Sequence, residues 1–181
     1  MKPIVFIFII VFIIGCSSNE NLVSVRQTQN NSPVILRIRK DRSSIHSLLY
    51  PIAFEFKKNS NREISYCENS YFAKNENICP GTAGCYLRVD DKDKYLTYSY
   101  KKFDGTIKYI TDKNDTIKEY MSVYYKKMIN ENKDTIHVSL KEFNRNFKEN
   151  IINNFFEGDS ISLHFHDRKR WIDVPLRVSF N

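Results

Sequence analysis

The chain has 181 residues, with 28 Lys and Arg against 21 Asp and Glu, giving a formal charge of +7. That length suits one domain around a single core and leaves a second cramped. Only five glycines are present, few for the tight turns of phosphate-cradling loops and nucleophile elbows, and no repeat of 20 to 50 residues points to a solenoid or propeller.

After Lys2 the chain runs from Ile4 to Ile14 through Ile, Val and Phe alone, then meets Gly15 and Cys16. As a helix these residues reach about 16 Å, half of the ~30 Å hydrocarbon core, which is too short for a comfortable span. They read as the apolar region of a secretion signal covering residues 1–15. Ile13-Ile14-Gly15-Cys16 resembles the lipobox of bacterial lipoproteins. The resemblance implies cleavage before Cys16 and acylation of that cysteine. With Ser17 in place of an Asp, it also implies an outer-membrane address in a cell that has an outer membrane. The expected location is the cell envelope, with the protein held to a membrane by its acyl chains, each buried methylene contributing about 0.8 kcal/mol.

Loss of Lys2 with the leader takes the charge from +7 to +6. Outside the inner membrane a basic domain meets little nucleic acid, so none is expected as a partner. Anionic lipid, polysaccharide or another envelope protein is the expected class, and no cofactor is called for.

Residues 16–32 are rich in Asn, Ser and Gln and predict a flexible tether that contributes no core, leaving 33–181 as the domain. Val34, Leu36 and Ile38 alternate, as do Ile52, Phe54 and Phe56 with Glu55 and Lys57 turned away, and both patterns predict half-buried strands. Cys67, Cys79 and Cys85 would lie where disulfides persist, and three thiols cannot all pair within one chain. The intervening Pro80, Gly81 and Gly84 favour a Cys79–Cys85 bridge, with Cys67–Cys85 as the alternative. A redox or metal site fits less well, because the last two cysteines are separated by five residues and not two.

Asp90, Asp91 and Asp93 lack the frame of a calcium loop and read as a charged turn. Tyr95 to Phe103 and Thr106 to Thr111 predict a hairpin turning at Asp104-Gly105. Thr116 with Glu119 opens a helix carrying Ile117, Tyr120, Met121, Tyr124 and Met128, a pattern that also suits a strand. Ile136, Val138 and Leu140 predict a strand. Ser139 with Glu142 caps a helix bearing Phe143, Phe147, Ile151 and Phe155 and stopping at Gly158. Ile161, Leu163 and Phe165 form another strand, and Ile172, Val174, Leu176, Val178 and Phe180 the last. The sum is a mainly β, α+β domain: an antiparallel β-sandwich with one or two packed helices.

Two groups of residues stand out as candidate sites. His164 and His166 straddle Phe165, so both rings share the face of Ser160 and Ser162 and can hold a metal if a third ligand arrives from His46, His137 or Asp167. The same pattern is also an ordinary polar strand face. Arg168, Lys169 and Arg170 adjoin Trp171, a loop suited to lipid head groups or glycan or simply solvated. Tyr95, Tyr98, Tyr100, Tyr109, Tyr120, Tyr124 and Tyr125 crowd one stretch, and rings of this kind stack on sugars or proteins. No residue stands out as catalytic. The expected role is a non-enzymatic binding domain. The alternatives are a metal-dependent or hydrolytic enzyme using His164 and His166, and a periplasmic immunity or inhibitor protein.

Overall fold

The computed structural model describes residues 22–74, 83–111 and 114–180. Its organising strand is β3 (Ile45–Lys58), whose Leu48, Ile52, Phe54 and Phe56 are buried. β6 (Lys101–Ile110) pairs with residues 47–56 along one side of it. The other side is shared: β2 (Val34–Ile38) covers 45–49 and β1 (Val23–Thr28) covers 53–58. β5 (Ala83–Leu87) extends the sheet beyond β6, and β7 (Thr135–Val138) extends it beyond β2. Asn30 bridges the gap between β1 and β2, donating to the Ile52 carbonyl at 2.9 Å while its own Oδ1 accepts the Ser32 amide. A carbonyl that neither neighbouring strand reaches is thereby satisfied.

A second antiparallel sheet, β4 (Ser65–Phe72), β8 (Ser160–His166) and β9 (Trp171–Arg177), runs in the order β4-β8-β9. Phe56 lies between the sheets, with Phe103, Phe165 and Tyr66 rings 4.8, 5.4 and 5.5 Å from its own. The architecture is the expected mainly β sandwich with two helical regions packed on it.

The first helical region is α1 (Asp115–Tyr120) followed by α2 (Ser122–Asn130), which bury Ile117, Tyr124 and Met128. Its cap is Asn114, accepting the Ile117 amide at 2.9 Å, and not Thr116. The second begins as α3 (Leu140–Phe147), capped by Ser139 accepting the Glu142 amide at 3.2 Å. Leu140 therefore opens a helix and does not close a strand. Beyond Phe147 the coil widens to a π-helix, Lys148–Phe156. The wider turn brings the adjacent pairs Ile151 with Ile152 and Phe155 with Phe156 onto one buried face, four residues apart. Gly158, at φ +97°, ends it.

Two further expectations are corrected. Residues 22–32 are not part of a tether: Leu22 and Val23 are buried, and Val23 to Thr28 pair in register with Lys58 to Ala53. The polar side chains that suggested flexibility hold fixed partners, as Asn30 does. Asp104-Gly105 is not a turn either, because β6 passes straight through it. A Cβ on Gly105 would lie 2.6 Å from the Tyr86 carbonyl oxygen and 2.7 Å from a Leu87 methyl, so glycine there permits the close approach of β5.

Candidate functional site

One end of the sandwich gathers the loop between β3 and β4, the loop between β8 and β9, the start of β1 and the segment before β6. Asp167 binds the first two together. Its side chain is fully buried, and it accepts the amides of Lys169 and Arg170 at 3.1 and 3.0 Å and Arg62 Nη1 at 2.9 Å. Burial opposes ionisation of this carboxyl, but the Arg170 amide, the Arg62 guanidinium and the Lys169 amide outweigh it and hold the carboxyl at about 2. Arg168 reaches back to Glu63.

The same end carries exposed rings and cations. Lys57 Nζ lies 5.3 Å from the Tyr100 ring centroid and Lys58 Nζ 4.7 Å from that of Tyr98, while Arg26 stands over Tyr100 at 4.7 Å. Such contacts draw a cation to the ring face through the ring's quadrupole. Tyr95, Tyr98 and Trp171 are each more than half exposed. The Asn59 amide donates to the Leu22 carbonyl at 2.9 Å, so the chain enters the domain at this end.

Beside it, the facing edges of β1 and β9 stand apart and leave a groove of about 620 Å³, lined by Leu22 to Val25 and by Arg170 to Pro175. Gln27 and Ser179 close its far end with two hydrogen bonds, at 2.5 and 2.9 Å. Val25, Ile172 and Val174 are apolar members of its lining and pack against the core, while Ser24, Arg170 and Asp173 add polar groups to it. Pro175 suits β9 to an edge, since proline removes a ladder donor.

The outer face of the second sheet places His164 between Ser70 and Asp173. Ser70 Oγ lies 3.1 Å from Nε2, and Asp173 Oδ1 lies 2.7 Å from Nδ1. The connectivity is that of a serine, base and orienting carboxylate relay. Its setting is an open sheet face: Ser70 is inside a strand, Asp173 is 63 % exposed, and Ser70 does not line the groove between β1 and β9. The relay went unread in the sequence because Ser70 and Asp173 lie 94 and 9 residues from His164, and only strand register unites them. His166 does not join His164 on any ligand. Its Nδ1 accepts the Arg168 amide at 3.1 Å, and its ring meets Trp171 edge-on at 5.3 Å. Among the described residues no cluster of three metal-ligating side chains exists.

Cys16 and Cys79 lie outside the described residues. Cys67 and Cys85 are free thiols, which corrects the Cys67–Cys85 alternative; the Cys79–Cys85 pairing turns on a residue outside those described. A β-bulge between Tyr66 and Glu68 turns Cys67 outward, while Cys85 is buried and its thiol is pushed up to about 12 by that burial.

A third polar cluster forms around a buried carboxylate. Asp159 accepts the hydroxyls of Tyr109, at 2.6 Å, and Tyr71, together with the Lys74 amide at 2.7 Å. Burial first, then the neighbouring Tyr71 and Asp159, push the Tyr109 phenol well above its ordinary value. Both phenols stay protonated as donors, and Asp159 itself is wholly inaccessible, so a buried carboxylate ties β4 and β6 to the start of β8. Among the described residues no helix is long and apolar enough to cross a membrane.

No protein-family profile, no curated protein and no solved structure matches the chain.

Proposed function

We propose that this is a lipid-anchored protein of the bacterial envelope, acylated at Cys16, whose domain works by binding an extended segment of another envelope protein. The location rests on the leader and the Gly15-Cys16 junction. The observation that carries the binding role is the groove between β1 and β9. It sets apolar and polar side chains side by side between two strand edges, and such edges take up extended chains through main-chain pairing while side-chain pockets select them. Val25→Arg places a cation in the groove on a side chain that is only half-buried. A protein recovered from solubilised membranes with the native chain and lost with Val25→Arg, with thermal stability unchanged, supports this reading. Equal recovery with both overturns it.

The Ser70, His164 and Asp173 geometry favours a second reading, a serine hydrolase with Ser70 as nucleophile and His164 as base. A serine-directed phosphonate probe that labels the native chain but not Ser70→Ala would support it. Absence of labelling would dismiss it.

A further inference from the structure

We infer that the end of the sandwich bearing Trp171, Tyr98 and Tyr100 seats on anionic lipid head groups of the membrane that holds the anchor. This inference rests on the acylation of Cys16 proposed above.

Chain length sets the distance. Six residue steps separate Cys16 from Leu22, and fully extended they span at most about 20 Å. Leu22 is buried at the start of β1 and is bonded to the loop after β3 through the Asn59 amide. The tether therefore delivers this end of the domain to the bilayer and no other. Head groups occupy several ångströms of that reach, so the loops around Leu22 are held no farther than about two Debye lengths from the lipid phosphates.

The chemistry of that end matches the surface it meets. Lys57, Lys58 and Lys169 have no carboxylate partner among the described residues, so their charge is available to phosphate. Arg62 and Arg170 are spoken for by Asp167, and Arg168 by Glu63, which fixes the loops that present Lys169 and Trp171. Tyr and Trp rings settle at the level of the head groups, where one edge is wet and the other is apolar. Trp171 is 61 % exposed at the first residue of β9, with Tyr95, Tyr98 and Tyr100 exposed on the neighbouring segment. Each cation near an anionic surface raises affinity roughly fivefold.

Trp171 is the only tryptophan in the chain, so intrinsic fluorescence reports this end alone. The test takes the full-length acylated protein into vesicles of phosphatidylcholine, with or without phosphatidylglycerol. On the mixed vesicles Trp171 emission should shift to the blue, brominated lipid should quench it, and iodide should lose access. The variant Lys57→Glu/Lys58→Glu/Lys169→Glu should float with the vesicles as before but keep its solvent-exposed emission. Protein that floats while its Trp171 emission and iodide quenching match those in detergent overturns the seating and leaves the anchor standing. Protein that floats with neither vesicle overturns the anchor and the seating together.

Discussion

Arg62 donates to the buried Asp167 carboxylate at 2.9 Å across 105 residues of sequence. A single carboxylate thereby sets the position of two loops, and through them of Lys169 and Trp171. The arrangement makes this end of the sandwich one surface, and it has a titration signature of its own.

Asp167→Asn keeps an acceptor for the Lys169 and Arg170 amides and removes the charge that Arg62 faces. Because the folded carboxyl sits at about 2 against an ordinary 3.8, its contribution is complete above the ordinary value and is lost as pH falls through the folded one. The stability difference between the native chain and Asp167→Asn should therefore be constant near neutrality and vanish below about pH 2. Urea denaturation across that range checks it.

Asp159→Ala leaves the Tyr71 and Tyr109 hydroxyls and the Lys74 amide without their shared acceptor inside the core. Buried donors without partners cost about 1 to 3 kcal/mol each when they cannot relax, so a loss of about 3 kcal/mol is expected for the variant. Tyr109→Phe, which removes one donor, should cost about 1 kcal/mol. Denaturant midpoints at constant slope measure both.

Gly105→Ala puts a methyl group 2.6 Å from the Tyr86 carbonyl oxygen. Overpacking of this kind costs about 1 to 3 kcal/mol, and the strain falls on the pairing of β5 with β6. Hydrogen exchange should show the amides of Ala83 to Leu87 losing protection before those of β3.

Alkylation should separate the two described cysteines. Cys67 is exposed and should react in the folded protein, while Cys85 is buried with its thiol pushed up to about 12 and should react only on unfolding. Peptide mass mapping before and after denaturant checks this. Finding Cys85 joined to Cys79 would contradict the free thiol and restore the bridge that the spacing suggested.

Strands with clean alternation were legible from the sequence, because a half-buried sheet imposes period two on residues such as Ile161, Leu163 and Phe165 whatever their neighbours do. The capped start of α3 was legible for a similar reason, since Ser139 and Glu142 act locally. β1 was not, because Val23 and Val25 are embedded in a polar run whose amides find partners only in the fold. Gly105 misled because glycine serves a turn and a close approach equally well. At the site, Trp171 and its basic neighbours were visible as a cluster. Ser70, Asp173, Arg62 and the facing edges of β1 and β9 were not, since they meet only through strand register and sheet packing.

Intact-mass spectrometry of the full-length protein extracted from its membranes should find residues 1–15 removed and fatty acyl chains on Cys16. A mass that retains the leader, with the Cys16 sulfur unmodified, would contradict the anchor, the compartment and the orientation of the domain that follows from them.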